Sequence, residues 1–223
     1  MKNNVFEHVV FDLDDTLVYY LDGRDGIFEL FTKRGVPEKI VRDAYEETKA
    51  TNGFNIDKLT ARIRECATKR FDKFKIKREF DVWLNNSLKV YNDAADFLST
   101  IRERGVKFSI ISAGDESFQK EKVKLARFKP FELHIVPRAG EKAAILRGMI
   151  GRGICPIVYV DDKASELDAI RREFDENKVV TVRISRPGGL YKNQKSVYKH
   201  REISSIKELE GMGPGFWFPC IKG

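Results

Sequence analysis

Val9-Val10-Phe11-Asp12-Leu13-Asp14-Asp15-Thr16 is the stretch from which the fold of this chain can be read. The residues leading into it, Val5 to Phe11, are rich in β-branched and aromatic side chains and end in an apolar run. Such a segment reads as a strand buried on both faces, as in a parallel sheet. Asp12 and Asp14 follow at once, two residues apart, so in extended chain they project from the same side. Carboxylates this close repel unless a cation neutralises them or a proton is shared. Magnesium suits hard oxygen ligands of this kind. The position agrees, because ligand sites in open α/β sheets lie beyond the carboxyl ends of the strands. Alone, the pair reads equally well as a turn and a helix cap.

Outward from this stretch, short apolar runs recur at Val106–Ile111, Leu133–Val136, Ile157–Val160 and Val179–Ile184. Between them lie helical patterns. In Asn92–Arg104, Ala94, Leu98 and Ile101 recur at helical spacing, and Gly105 follows as a stop. Lys163–Phe174 carries a similar stripe, and Glu141–Ile150 is a third helix. Strands alternating with helices predict an α/β fold, a three-layer Rossmann-like parallel sheet. Residues 19–89 break the rhythm. Gly26–Lys33, Pro37–Thr48, Asp57–Phe71 and Arg78–Leu88 read as helices, with no convincing strand, so this stretch is expected to be a helical insert. The core is then 1–18 together with 90–223.

Three further strand or helix ends carry chemistry. Phe108–Ser112 is an apolar strand ending in a hydroxyl, followed by Ala113 and Gly114. The Ser112 hydroxyl and the backbone N–H of a small residue such as Ala113 can approach an oxyanion there, although serine also caps helices. Lys142 opens a predicted helix, where its ammonium adds to the positive end of the dipole. Asp161 and Asp162 directly follow an apolar strand, where charge requires a partner, and a metal shared with Asp12 and Asp14 supplies one.

The chain has 223 residues, 42% of them hydrophobic and 34% charged, an ordinary globular composition. No run is long enough to span a bilayer, and Met1–Asn4 leads into a strand-like segment without a signal-peptide core, so a cytoplasmic location is expected. Cys66, Cys155 and Cys220 are odd in number and contain no C-x-x-C pair, which predicts reduced thiols. The formal net charge of +7 is concentrated in Arg62–Arg78 and in Arg183–Arg201, the latter with no acid. Such runs attract phosphorylated metabolites or nucleic acid, although the plainer reading is a solvated helix face and a basic loop. Phe71 and Phe74, within the first run, are expected to serve the insert's own core. The aromatic tail Gly211–Pro219 is expected to dock back onto the core.

Together these pieces resemble the haloacid dehalogenase superfamily of phosphohydrolases, over nearly the whole chain. Asp12-Leu13-Asp14-Asp15-Thr16 matches the first motif, D-x-D-x-T. Ser112 matches the second, Lys142 the third, and Asp161-Asp162 with Glu166 the acidic fourth. The resemblance implies that Asp12 attacks phosphorus and forms an aspartyl-phosphate, while Asp14 protonates the leaving oxygen and then activates water. It also implies magnesium held by Asp12, Asp14, Asp161 and Asp162, with phosphate gripped by Ser112, Ala113 and Lys142. Thr16 and Glu166 would support the site. Residues 19–89 resemble the helical cap of phosphoglycolate phosphatase-like enzymes, which points to a small phosphorylated metabolite as substrate. Here Asp161-Asp162 stands where Gly-Asp is common, and Glu166 where Asp is frequent. A phosphomutase on the same core is the nearest alternative, and a nucleic-acid-binding or scaffolding protein with a vestigial site is another. A dehalogenase is disfavoured, since those enzymes replace the residue at Asp14.

Overall fold

The computed structural model describes residues 8–67 and 70–211. In chain order the elements are β1 (His8–Phe11), β2 (Val18–Tyr20), α1 (Asp25–Thr32), α2 (Glu38–Asn52), α3 (Ile56–Ala67), α4 (Lys73–Ser87), β3 (Leu88–Val90) and α5 (Asn92–Glu103). There follow β4 (Lys107–Ala113), α6 (Glu116–Leu125), β5 (Leu133–Val136), α7 (Lys142–Gly151), β6 (Ile157–Asp161), α8 (Ala164–Glu173), β7 (Val179–Ile184), β8 (Arg201–Ile203) and α9 (Glu208–Gly211). Lys69, Cys220 and nearly all of the aromatic tail lie outside the described residues.

The chain divides into two compact units. The first, residues 1–18, 90–112 and 129–223, holds a six-stranded sheet in the order β5-β4-β1-β6-β7-β8. β1 pairs in parallel with β4 and with β6, and β6–β7 and β7–β8 are parallel as well. The α/β, Rossmann-like class expected from the alternation is therefore the fold. After β1 the chain builds one side of the sheet through β4 and β5. After β5 it crosses over and builds the other side from β6 outward. β1 and β6 are thus neighbours whose connections diverge, the switch point at which open α/β sheets leave a crevice.

The runs that read as strands are buried because helices cover the sheet. Val10, Ile111, Leu146, Met149, Tyr159, Leu167, Ile170 and Val179 form one core cluster. Each large aliphatic side chain placed there contributes about 1.5–3 kcal/mol. In α5 the stripe Ala94, Phe97, Leu98 and Ile101 is buried, and Gly105, at φ +73°, ends the helix as expected.

β8 was not foreseen, because three residues beginning with two exposed charges carry no apolar signal. β2 and β3 correct the expectation of a strand-free insert. Each is three residues long, and they pair with each other at the insert's two ends. Strands so short leave no legible alternation.

The second unit comprises residues 19–89 and 113–128. The expected core segment 90–223 therefore does not pack as one block, since α6 goes with α1–α4. The Phe118 ring lies 5.1 Å from Phe54 and 5.7 Å from Phe80. Asp115 caps α6, accepts from Asn55 Nδ2 at 3.3 Å and pairs with Lys58 at 3.1 Å. Gly53, at φ +77°, lies so close to this segment that a Cβ would sit 2.2 Å from the Asp115 nitrogen. Phe71 and Phe74 do not share a helix. Asp72 caps α4 between them, so Phe71 meets Phe31 at 6.0 Å while Phe74 is 71% exposed. Trp83 stacks on Tyr20 at 5.1 Å and helps line a cavity of about 360 Å³ together with Gly26, Lys33 and Arg78.

One buried histidine in the sheet gives the fold a pH dependence. His8 on β1 shares a hydrogen bond with Ser109 Oγ on β4 at 2.8 Å, and burial pushes its pKa down from 6.5 to about 4. The unfolded chain binds this proton below about pH 6.5, but the folded chain binds it only near pH 4. Stability is therefore complete above pH 6.5 and falls as pH drops through that window. Denaturant titrations of the wild type and His8→Gln at pH 7 and pH 4.5 check this. The wild type is expected to lose about 2–3 kcal/mol more than the variant between those two values. Equal losses would contradict it.

Candidate active site

The acids read from sequence converge at the carboxyl ends of β1 and β6. Asp12 follows β1, and its N–H donates to the Val160 carbonyl of β6 at 2.9 Å, which locks the two strand ends together. One carboxylate oxygen from each of Asp12, Asp161 and Asp162 lies within 4.8 Å of the other two, and all three residues are buried. Lys142, the first residue of α7, reaches in with its Nζ 2.6 Å from Asp12 Oδ1 and 2.7 Å from Asp161 Oδ2. Tyr159, two residues before Asp161 and on the same face of β6, donates its hydroxyl to Asp161 Oδ2 at 2.6 Å. The Lys163 N–H donates to Asp161 Oδ1 at 2.8 Å. Asp161 is thus held at both oxygens.

Charge does not balance in this cluster. Three carboxylates face one ammonium, three minus one, which leaves two negative charges if all ionise. Burial pushes Asp12 up to about 7; the Lys142 ammonium pulls it back, while Asp161 and Asp14 add to the rise. Asp162 rises further, to about 9, through burial and the charges of Asp12, Asp161 and Asp15. Its Oδ2 is buried and has no hydrogen-bond partner among the described residues. A buried oxygen of this kind is costly unless something cationic meets it. Three hard oxygens around a deficit of two charges fit a divalent metal ion.

The other expected residues fall around this centre. The Asp14 carboxylate is not one of the three that converge, though it stands near enough to raise Asp12. A tight turn holds it. The Leu17 and Val18 N–H groups both donate to the Leu13 carbonyl, and Asp15 takes the left-handed region at φ +57°. Thr16 is buried, and its Oγ1 has no hydrogen-bond partner among the described residues. Ser112 is buried near the end of β4, beside β1. Ala113 groups with the second unit, and its carbonyl accepts from Gln119 Nε2 at 3.2 Å. Glu166 is not in the metal-binding trio. Its Oε2 accepts from the Gly140 N–H at 2.9 Å, bracing the turn two residues before Lys142.

Two residues beside the site carried no readable signal. Tyr159 reads simply as an apolar strand residue. Arg186, nearly fully buried, donates to the Thr16 carbonyl at 2.9 Å and to Asp93 Oδ2 at 2.6 Å, and it stacks on Tyr91 at 3.8 Å. The Tyr91 N–H in turn holds the Leu17 carbonyl at 3.1 Å. The turn bearing Asp14 is thereby tied to residues 70 to 170 positions away, which no local pattern reveals.

A family model described as haloacid dehalogenase-like hydrolase matches residues 6–172. No curated protein matches the chain in sequence. Among solved structures, a predicted phosphoglycolate phosphatase from Haemophilus somnus 129PT is 17% identical, with TM-score 0.61 over 93% of this chain and 98% of that one. A haloacid dehalogenase-like hydrolase from Burkholderia xenovorans LB400 is 18% identical, with TM-score 0.72 over 93% and 96%. A HAD-family enzyme from Bacteroides thetaiotaomicron, in complex with magnesium and inorganic phosphate, is 17% identical, with TM-score 0.57 over 80% and 94%. Dehalogenases share the fold as well. Among the described residues no helix is long and apolar enough to cross a membrane.

Proposed function

This chain belongs to the haloacid dehalogenase-like hydrolases, and from that premise we propose that it is a magnesium-dependent phosphomonoesterase acting through an aspartyl-phosphate. One observation carries the reading: Lys142 bridges Asp12 and Asp161 at 2.6 and 2.7 Å while the buried Asp162 Oδ2 beside them has no hydrogen-bond partner among the described residues. That is a site built for a cation and an anion together. Held by Asp12, Asp161, Asp162 and the backbone carbonyl of Asp14, magnesium would neutralise the surplus charge of the carboxylates and of the transferring phosphoryl group.

The chain's own residues then divide the work. An Asp12 oxygen attacks phosphorus and forms the acyl-phosphate bond as the ester P–O bond breaks, and Asp14 gives its proton to the departing alkoxide. Asp14 next takes a proton from water. The resulting hydroxide attacks phosphorus, frees phosphate and restores the Asp12 carboxylate. Lys142, fixed between two acids, presents its ammonium to the phosphate oxygens, and Ser112 with the backbone at Ala113 adds neutral donors. Tyr159 and the Lys163 N–H keep Asp161 in place. We assign residues 19–89 to a cap that selects a small phosphorylated substrate, and the protein to the cytoplasm.

A panel of phosphomonoesters assayed for phosphate release with magnesium, and again with excess EDTA, tests the reading. At least one ester is expected to turn over with the metal, at a rate that falls about 10²-fold or more without it. Turnover indifferent to EDTA would contradict the proposal.

A further inference from the structure

The turn that carries Asp14 is closed from within. The Leu17 and Val18 N–H groups donate to the Leu13 carbonyl at 3.0 and 3.1 Å, and the Asp15 N–H donates to the Val18 carbonyl at 2.8 Å. Closing it this tightly puts Asp15 at φ +57°, a region disfavoured for any residue with a Cβ. Backbone of that kind persists only where its surroundings hold it. The next stretch of chain does not belong to the same unit, because the chain leaves the first unit after Val18 and returns at Val90.

The hold comes from residues far off in sequence, all in the first unit. Arg186, two residues beyond β7, is 5% exposed. Its Nη2 donates to the Thr16 carbonyl at 2.9 Å and its Nη1 to Asp93 Oδ2 at 2.6 Å. That Asp93 oxygen is itself fixed, since it also accepts from Ser205 Oγ at 2.9 Å and from the Ile206 N–H at 2.7 Å. The guanidinium lies 3.8 Å from the centre of the Tyr91 ring, and the Tyr91 N–H donates to the Leu17 carbonyl at 3.1 Å. Two successive carbonyls of the turn are thus held by two residues that also hold each other.

An ion pair with Asp93 alone would need one arm of the guanidinium. The second arm goes to a neutral carbonyl two residues from Asp14. Buried ion pairs add little net stability, so the geometry this one fixes explains it better. A planar fork sets two acceptors and a ring face in one arrangement, which the single ammonium of a lysine cannot do. We propose that Arg186 is a positioning residue for Asp14. It fixes the turn so that the carboxyl reaches the leaving oxygen and afterwards the attacking water. This rests on the phosphomonoesterase reading above, in which Asp14 moves both protons.

The test compares the wild type with Arg186→Lys, which keeps the charge beside Asp93, on phenyl phosphate and 2,4-dinitrophenyl phosphate at saturating magnesium. Phenoxide, with a conjugate acid near the tyrosine value of about 10, needs a proton to leave, whereas dinitrophenoxide departs without one. In the variant kcat/KM is expected to fall about tenfold for the phenyl ester and less than about twofold for the dinitrophenyl ester. For the dinitrophenyl ester kcat itself should fall about tenfold, because Asp14 must still activate water. Asp93→Asn, which leaves Arg186 in place but removes the charge that anchors it, is expected to show the same pattern with a smaller fall. Equal falls in kcat/KM for the two esters, or no fall, would overturn the proposal. So would a crystal structure of Arg186→Lys with the turn and the Asp14 carboxyl unmoved. A wild type that hydrolyses neither ester counts against the phosphatase reading, and a displaced turn in the variant crystal then leaves the hold of Arg186 on that turn standing.

Discussion

Asp12→Asn is expected to lower phosphate release by about 10³-fold or more while leaving the protein folded and, without metal, no less stable than the wild type at pH 8. The loss of activity follows because an amide oxygen in that place cannot form the acyl-phosphate. The stability prediction follows from the raised pKa of Asp12. Burial lifts Asp12 from 3.8 to about 7. Its favourable contribution is therefore present below about pH 3.8 and is lost as pH rises to 7, so at pH 8 the ionised carboxylate opposes folding. Asparagine removes that opposition, and Lys142 keeps its other partner, Asp161. Thermal melts at pH 5 and pH 8, with and without magnesium, check this. The variant should gain on the metal-free wild type at the higher pH, and magnesium should stabilise it less. A variant that retains activity, or that unfolds at both values, contradicts the assignment.

Lys142→Met should be the more damaging change to the fold. It removes the ammonium from between two buried carboxylates and leaves Asp12 and Asp161 facing each other with no cation. Removing one partner from a buried ionic cluster typically costs about 3–5 kcal/mol. For a chain of this size that is a fall of about 10 °C in Tm. The sign with pH is again fixed. Without Lys142 the Asp12 pKa rises further above its unfolded value, so the deficit grows from pH 5 to pH 9. Magnesium should recover part of the stability, but not the activity, which is expected to fall about 10²-fold through loss of the ammonium facing the phosphate. A deficit that shrinks with pH would show that Lys142 is not neutralising these acids.

The parallel sheet was readable because its strands are buried on both faces, so Val9–Phe11, Phe108–Ile111 and Ile157–Val160 announce themselves as apolar runs. The convergence of Asp12, Asp161 and Asp162 was readable for a related reason: in a parallel sheet every carboxyl end lies on one edge, so acids that follow apolar strands must meet there. The pieces that escaped depend on long-range contacts. α6 joins the helical unit through Phe118 against Phe54 and through Asp115 with Lys58, contacts that span about 60 residues. Phe74 is exposed where its spacing from Phe71 suggests a core residue, since Asp72 caps a new helix between the two. Arg186 grips the Thr16 carbonyl across 170 residues, and Tyr159 hides as a hydrophobic strand residue until its hydroxyl is seen against Asp161.

Trapping the covalent intermediate asks the central question without intermediaries. The enzyme is mixed with its best ester and magnesium, quenched in acid within one turnover, and digested for mass spectrometry. The expected result is a hydroxylamine-sensitive phosphate on the peptide that contains Asp12, formed with magnesium and missing when EDTA is present. Phosphate carried by any other residue, or turnover with no phosphoenzyme and no need of the metal, would contradict the account.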